Sequence, residues 1–160
     1  MSWSRRLVLT GAAATLAACG FTPVYGPDGG GAALRGAVRV MDPDTDFGFA
    51  FVTRFEDRLG LPTAVRYDLS YTFVTEEVDL AIDGSNNITR FNIEGTLVWT
   101  LTALGSDDVV LSGREVNFTS YSATGSTIST LESERDANRR LAVIMADAIV
   151  TRLLSEAASL

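Results

Sequence analysis

Residues 88–104, ITRFNIEGTLVWTLTAL, alternate between apolar and polar side chains over most of their length. A period of two is typical of a β-strand that buries one face and exposes the other. The apolar set comprises Phe91, Ile93, Leu97, Trp99 and Leu101. The opposite set begins at Arg90 and is rich in threonine. We therefore predict a long strand here, with one face in the core of the protein.

Strands are also predicted on both sides of this one. Residues 65–73 alternate in the same way, and residues 109–121 form the next strand, with Val110, Val116 and Phe118 assigned to one apolar side. The first intervening turn consists of Asp83, Gly84, Ser85, Asn86 and Asn87, and the second of residues 105–108. Sequential strands joined by short turns pair with their neighbours, so we expect an antiparallel meander with one apolar face.

The apolar phase of the first of these strands changes after residue 73. The later apolar residues fall on the opposite face: Val74, Val78, Leu80 and Ile82. One extra residue in a strand moves every later side chain to the other face. We therefore predict a bulge or a break near Glu76 and Glu77.

An amphipathic helix is predicted before the meander. It follows a short strand over residues 34–40, begins at a cap formed by Asp44 or Thr45, and ends at Gly60. Its apolar residues recur every four positions: Phe47, Phe51, Phe55 and Leu59. Such a stripe indicates a helix that lies on a sheet.

A second helix is predicted after the meander. A capping box formed by Ser129 and Glu132 opens it, and it runs to about Ser155. Its apolar stripe consists of Leu141, Ile144, Met145, Ala148, Ile149 and Leu153. The whole order predicts an α+β fold in which two helices pack on one face of a four-stranded, mainly antiparallel sheet, in the order β-α-β-β-β-α.

The composition excludes most enzyme mechanisms. The 160 residues include no His and no Lys, so that all 13 basic residues are Arg. This rules out a Ser-His-Asp triad, a Schiff base, a phosphate-loop Lys and imidazole-bound zinc. Paired carboxylates such as Glu76 and Glu77, or Asp107 and Asp108, would point to opposite faces of a strand. We expect no catalytic residue, no metal and no cofactor, and the net charge of −7 disfavours nucleic-acid binding.

The N-terminus has the features of an export signal. Arg5 and Arg6 precede an apolar stretch that is shorter than the roughly 20 residues needed to span a bilayer. It ends in Leu-Ala-Ala before Cys19, the only Cys, and this motif resembles the bacterial lipobox, in which the Cys is acylated. Residues 1–18 are therefore predicted to be a lipoprotein signal peptide, residues 19–33 a lipidated Cys with a Gly/Pro-rich tether, and residues 34–160 a single domain.

Two further segments resemble the lipopolysaccharide-assembly lipoprotein family, LptE, in its alphaproteobacterial form. They are GFTPVYG at residues 20–26, directly after the lipobox, and ESERDANRRL at residues 132–141, in the C-terminal helix. The resemblance implies a lipid-anchored protein on the periplasmic side of the outer membrane. It further implies that the protein binds and plugs the β-barrel subunit LptD, helps that barrel to assemble, and assists the insertion of lipopolysaccharide into the outer leaflet.

The resemblance also suggests where contacts lie. Members of the family are thought to contact lipopolysaccharide through basic residues near one end of the sheet, and here only Arg can serve, because Lys is absent. We select Arg90 and Arg114 as candidate contacts to lipopolysaccharide or to the partner, and the turn over residues 83–87 as a candidate barrel contact. The polar face of the meander suits either a wet barrel lumen or bulk solvent.

A different class of lipoprotein remains as an alternative. An auxiliary lipoprotein of an ABC-type lipid transport system would have a similar architecture. It would differ by an apolar groove able to take an acyl chain.

Overall fold

The structure is a computed structural model that describes residues 26, 30–82, 88–157 and 160. Cys19 and the turn over residues 83–87 therefore lie outside the described residues. The described residues form three helices and four strands. In chain order these are α1 (Gly31–Leu34), β1 (Val38–Val40), α2 (Asp46–Leu59), β2 (Tyr67–Ile82), β3 (Ile88–Ala103), β4 (Val109–Ser122) and α3 (Thr127–Ser155).

The four strands form one sheet in the order β1-β2-β3-β4. The edge strand β1 pairs parallel to β2, whereas β2, β3 and β4 pair antiparallel. The two long helices, α2 and α3, pack together on one face, which we call the inner face. The predicted α+β fold and its β-α-β-β-β-α order are confirmed, with the single helical turn of α1 in front.

The first strand is shorter than predicted. Instead of residues 34–40 it contains only Val38–Val40, because the chain turns at Gly36, whose φ of +64° is unfavourable for other residues. The amide of Gly36 donates to the carbonyl of Leu59 at 2.8 Å, and its carbonyl accepts from Thr63 and Ala64. The turn thereby ties the beginning of the domain to the end of α2.

Helix α2 lies over β2 through its predicted stripe, and every member of the stripe is buried. Thr45 is the N-cap, since its hydroxyl accepts from the amide of Gly48 at 3.1 Å. The ring of Phe47 stacks on that of Phe73 with 3.5 Å between centroids, and the ring of Phe51 lies 4.6 Å from that of Tyr71. Aromatic stacking therefore joins the helix to the sheet.

Helix α3 lies over β3 and β4 and closes the core. Beneath it the sheet carries Gly95, where an added Cβ would lie 2.9 Å from Leu141 Cδ2 and 2.9 Å from Phe73 Cε2. Only a residue without a side chain lets the layers approach this closely. The helix contributes the largest buried set: Ala137, Leu141, Ala142, Met145, Ala146, Ile149, Val150 and Leu153.

Two details of α3 differ from the sequence prediction. The predicted cap, Ser129, lies inside the first turn, and Ser126 is the N-cap, whose hydroxyl accepts from the amide of Ser129 at 3.3 Å. In a capping box the side chain of Glu132 would accept from the amide of Ser129, but Ser126 accepts from that amide and Glu132 is paired with Arg135. Ile144, predicted in the apolar stripe, is exposed on the opposite side.

The predicted bulge near Glu76 and Glu77 is wrong. Strand β2 pairs with β3 without interruption from Tyr67 to Asp79, and the register shifts only between Asp79 and Ile82. Val74 therefore stays in phase with the polar residues and lies on the outer face, opposite the face on which the described helices α2 and α3 pack. The pairing is uninterrupted here because the backbone hydrogen bonds between the strands form whether or not the exposed side chains are polar.

The orientation of β4 also differs from the apolar pattern. Val110, Val116 and Phe118 are exposed on the outer face, and the inner face of β4 is largely small or polar. Gly113 fits under Trp99, where an added Cβ would lie 2.8 Å from the indole ring. The hydroxyl of Thr119 donates to the carbonyl of Ala137 in α3 at 2.9 Å. This buried polar group therefore has a hydrogen-bond partner.

One acidic residue of α3 binds two arginines of α2. Arg54 donates to both carboxylate oxygens of Asp147 at 3.0 Å, and Arg58 donates to Oδ1 of the same group. Partial burial alone would raise the pKa of Asp147, but the hydrogen bonds and charges of Arg54 and Arg58 outweigh it and lower the pKa. This ion pair links the two helices on the side away from the sheet.

We predict that Asp147→Asn lowers the free energy of unfolding by about 1 kcal/mol at pH 7, a modest value because the three side chains are about one-third exposed. A lowered pKa in the folded state stabilises the protein above the ordinary carboxyl pKa, and this contribution disappears as the pH falls through the folded value. Urea unfolding should therefore show a difference between wild type and variant at pH 7 that shrinks towards pH 3. Asp136→Asn, whose ion pairs are more exposed, is the control. A difference that grows on acidification would contradict the assignment.

Candidate functional site

A cleft lies at the end of the sheet where β3 begins and β4 ends, beside the first half of α3. Its lining combines two guanidinium groups with hydroxyl and carboxylate groups: Arg90, Ser120, Tyr121, Ser122, Glu132, Ser133, Asp136 and Arg140. It lies at the end of the sheet where β3 begins at Ile88, and residues 83–87, which precede Ile88 in the chain, are outside the described residues. We call it the sheet-end cleft.

Arg140 is fixed in the cleft by two contacts. Its Nε donates to Oδ2 of Asp136 at 2.9 Å, and its Nη2 donates to the carbonyl of Ser120 at 3.0 Å. The first contact lies within α3 and the second reaches β4, so the guanidinium group bridges the helix and the sheet. About half of its side-chain surface remains exposed, which leaves further donors available to a ligand.

Arg90 enters the same cleft from β3, opposite Ser122 of β4. Within the described part of the chain it has no ion pair, whereas Glu132 is bound to Arg135 at 2.7 Å and Asp136 to Arg140. The cleft therefore holds one arginine whose charge is not balanced by a described carboxylate. Guanidinium groups in this arrangement suit oxyanions such as phosphate, which they bind through paired hydrogen bonds.

Tyr121 forms the floor of the cleft and is held from the opposite side. Its hydroxyl donates to Oε2 of Glu77 at 2.6 Å, and its ring stacks on Phe91 with 5.2 Å between centroids. Burial, together with the hydrogen bond to Glu77 and its negative charge, raises the pKa of Tyr121. The phenol therefore stays neutral and acts as a hydrogen-bond donor.

The structure does not bring the two candidate arginines together. Arg90 lies at the sheet-end cleft, whereas Arg114 pairs with Val98 on the outer face, eight residues further along β3. At about 3.3 Å per residue this separation is roughly 26 Å, too far for one phosphate group. Among the described residues, Arg114 Nη2 donates to the hydroxyl of Thr96 at 3.3 Å.

Sequence reasoning did not select Arg140 as a site residue. Its spacing from Asp136 predicts the ion pair within the helix, and that pair is confirmed, as is a longer one from Arg139 at 3.9 Å. The contact that places Arg140 in the cleft is the one to Ser120, twenty residues earlier on a different element. The sequence carries no local signal for such a contact.

A second cleft lies between α2 and α3. Its lining mixes apolar residues with arginines: Thr45, Asp46, Phe47, Phe49, Ala50, Thr53, Arg54, Asp57, Arg135, Asn138, Arg139 and Val143. Phe49 is exposed at its edge. This cleft is open to solvent and part of its lining is apolar.

No group of three or more His, Cys, Asp or Glu side chains is placed to hold a metal ion within the described residues. Among the described helices, none combines the length and apolarity required to cross a membrane.

Comparison with known proteins identifies the family. The model of the family LptE, lipopolysaccharide-assembly, matches residues 36–153, which include every element from β1 to nearly the end of α3. The chain belongs to the LptE family. The resemblance seen in the sequence is thereby confirmed, and membership assigns the chain a role in lipopolysaccharide assembly together with the lipopolysaccharide-transport machinery.

Solved structures show the same fold at low sequence identity. A lipoprotein from Caulobacter crescentus CB15 has a TM-score of 0.67 at 16% identity and covers 81% of this chain and 96% of its own. The rare lipoprotein B from Shewanella oneidensis has a TM-score of 0.57 at 10% identity, with 74% and 92% covered. A minor lipoprotein from Acinetobacter baumannii has a TM-score of 0.55 at 11% identity, with 75% and 90% covered. No curated protein sequence matches this chain.

Proposed function

We propose that the mature protein is an outer-membrane lipoprotein that binds and plugs the lipopolysaccharide-transport β-barrel LptD. It is anchored through Cys19 on the periplasmic side, assists assembly of the barrel, and assists insertion of lipopolysaccharide into the outer leaflet. The observation that carries the proposal is the match of the LptE family model to residues 36–153, in a chain whose only cysteine, Cys19, ends a motif that resembles the lipobox.

The positions of the chain entry and of the sheet-end cleft, at opposite ends of the sheet, support a plug anchored at one end. The described chain enters the domain at Gly30, against Ala157 after α3, and Tyr67 at the start of β2 donates to the carbonyl of Leu160 at 2.9 Å. The tether therefore joins the domain at the end where β2 begins. The sheet-end cleft is at the other end, since Tyr67 pairs with Ala103 and Arg90 lies thirteen residues away along β3.

The length of β3 gives the scale of this separation. Thirteen residues at about 3.4 Å each correspond to about 44 Å, which exceeds the roughly 30 Å hydrocarbon thickness of a bilayer. A domain tethered at one end can thus present its sheet-end cleft well away from the leaflet that holds the anchor. This reach suits a plug that extends along the lumen of a membrane barrel.

We propose the sheet-end cleft as the contact for lipopolysaccharide. Arg90 and Arg140 line one cleft, and lipopolysaccharide carries phosphate groups that arginine binds well. Residues 83–87 directly precede β3 in the chain, and we propose that they contact the barrel. Arg114 lies elsewhere and is not part of this contact.

The proposed role is binding and assembly rather than catalysis. Glu76 and Glu77 occupy opposite faces of β2, and Glu77 is engaged by Tyr121. Asp108 is occupied in the turn after β3, where Ser106 donates to its carboxylate at 2.7 Å. These carboxylates do not form an acid–base pair on one substrate.

The alternative function is supported by one observation. The cleft between α2 and α3 has an apolar side that includes Phe49 and Val143, as an acyl-chain site of an ABC-type auxiliary lipoprotein would. Its rim, however, carries Arg54, Arg135 and Arg139. The family match favours lipopolysaccharide assembly, and the partner recovered with the protein separates the two functions.

We predict that the affinity-tagged protein, purified in mild detergent from cells that contain its natural partners, recovers a large outer-membrane β-barrel in a near-equal molar amount. Mass spectrometry identifies the barrel, and heat-dependent mobility on gels reports its folded state. Recovery of an inner-membrane ABC transporter without any barrel would establish the alternative and contradict the proposed function.

We predict that Cys19→Ser abolishes labelling by radioactive palmitate and releases the protein from the outer-membrane fraction. The thiol is the acceptor of diacylglycerol, and a Ser hydroxyl does not replace it in this reaction. Acyl chains contribute about 0.8 kcal/mol per buried CH₂, so their loss removes the anchor. Ser4→Ala, in the segment predicted to be cleaved, is the control. Labelling that survives Cys19→Ser would reject the anchor.

We predict that Arg90→Ala and Arg140→Ala each weaken binding of purified lipopolysaccharide about fivefold to tenfold, as expected for loss of a charge-assisted hydrogen bond. Arg35→Ala, an exposed arginine before β1, is the matched control and should bind as the wild type does. Surface plasmon resonance on the lipidated protein in detergent provides the measurement. Equal affinities for all four proteins would remove the sheet-end cleft from the account.

A further inference from the structure

The parallel ladder between β1 and β2 ends in a contact to a side-chain sulfur. The amide of Met41 donates to the carbonyl of Leu69 at 2.9 Å, which continues the ladder one residue beyond Val40. In a regular parallel ladder the carbonyl of the same residue would accept the next amide of β2, that of Tyr71. Here the sulfur of Met41 accepts from the amide of Tyr71 at 3.4 Å. A thioether therefore closes the ladder where a carbonyl would stand.

This sulfur is a weak acceptor in a position that solvent reaches. A thioether accepts hydrogen bonds less well than a carbonyl, so the amide of Tyr71 has a poorer partner than a regular ladder would supply. The side chain of Met41 is 45% exposed, so oxidants in solvent reach its sulfur. Oxidation to the sulfoxide adds a polar oxygen to this sulfur. Rotation about the terminal bonds of the flexible, exposed side chain brings that oxygen to the amide.

We propose that Met41 is a site of reversible oxidation, and that its sulfoxide oxygen replaces the missing ladder carbonyl as the acceptor for the amide of Tyr71. The oxidant is a peroxide. The sulfur of Met41 attacks one oxygen of hydrogen peroxide, the O–O bond breaks, and the attacked oxygen passes its proton to the departing hydroxide, which leaves as water. The sulfur loses two electrons and the peroxide gains them. This site is independent of the proposed function.

The reverse step is chemically available to a thioether oxidised in this way. A methionine sulfoxide reductase removes the oxygen as water, while two thiols are oxidised to a disulfide. The modification of Met41 is therefore a reversible change of one acceptor at the end of β1.

The burial of the other methionines directs the oxidant to Met41. The chain has three methionines, and Met1 lies in the predicted signal peptide. Met145 is fully buried, and its Cε lies 3.1 Å from the position that a Cβ on Gly95 would occupy. An oxygen on the sulfur of Met145 would have to enter this packed layer, where added volume is costly. Oxidation of Met41 adds its oxygen on the solvent side instead.

The amide of Tyr71 matters because this residue joins the sheet to α2. Its ring lies 4.6 Å from that of Phe51, and its hydroxyl is 3.1 Å from the position that a Cβ on Gly48 would occupy. The chain leaves the ladder at this point, since Pro43 has no amide to donate. A stronger acceptor for Tyr71 therefore holds the sheet against the helix. Oxidation of buried methionines disrupts protein cores, whereas oxidation of Met41 should strengthen this edge.

Treatment of the complete lipidated protein with hydrogen peroxide in detergent, followed over time by peptide mass spectrometry, tests the site. Met41 should be oxidised at least about tenfold faster than Met145 in the folded protein, because only its sulfur is exposed. In concentrated urea the two should be oxidised at similar rates. A methionine sulfoxide reductase with dithiothreitol should return Met41 to its original mass. Equal rates in the folded protein, or a sulfoxide that the reductase does not reverse, would overturn the site.

Hydrogen exchange of the Tyr71 amide, measured by NMR on the same protein, tests the new acceptor. Oxidation should slow this exchange about fivefold, the gain expected from one better hydrogen bond. Met41→Gln places an amide oxygen at the end of a side chain of similar length and should slow exchange without any oxidant. Met41→Leu removes the acceptor and should speed exchange. The amide of Gly36, which donates to the carbonyl of Leu59, is the reference and should not change.

The exchange rates decide the role of the sulfoxide. A Tyr71 amide that exchanges at the same rate or faster after oxidation would overturn it, as would equal rates in Met41→Gln and Met41→Leu. Because the side chain of Met41 is exposed, circular dichroism should show the same folded state for the wild type and both variants.

Discussion

The close approach of two helices to one face of a long antiparallel meander is the constraint on which the rest of the structure depends. At Gly95 the absence of a side chain allows Leu141 and Phe73 to meet over the sheet. A Cβ at this point would separate the layers and expose apolar surface on both sides. The inner face of β3, including Trp99, is buried beneath these layers. The outer face and the sheet-end cleft are the surfaces that remain.

The sequence predicts the fold well because the helices and β3 obey strong periodicities. The stripe from Phe47 to Leu59 and the alternation along β3 each bury one clear side, and both are confirmed. The apolar pattern does not predict the buried face of the edge strand β4, nor that of β2 after Phe73. There the apolar residues face outward, and the inner positions are taken by Gly113 under Trp99 and by Thr119 bonded to α3. Apolar side chains are buried along β3 and in the stripe of α2, but at these positions of β2 and β4 they are exposed.

The candidate site was predicted in part. Of the two candidate arginines, the structure places Arg90 in the sheet-end cleft and Arg114 on a separate part of the sheet. Arg140 completes the cleft through a contact between elements twenty residues apart. Such contacts have no local period, so one sequence does not reveal them. The family match then gives this arrangement its biological setting, lipopolysaccharide assembly.

The distribution of function along the molecule follows from the direction of its strands. The described chain enters at one end of the sheet, where Gly30 lies against Ala157, and Arg90 and Arg140 line one cleft at the other end. The most direct test of the central claim is to deplete the protein in living cells and follow newly made, radiolabelled lipopolysaccharide. The account predicts that label stops reaching the cell surface and accumulates on the inner side of the outer membrane or earlier, and that the wild-type gene restores its passage. Normal arrival of labelled lipopolysaccharide at the surface after complete depletion would contradict it.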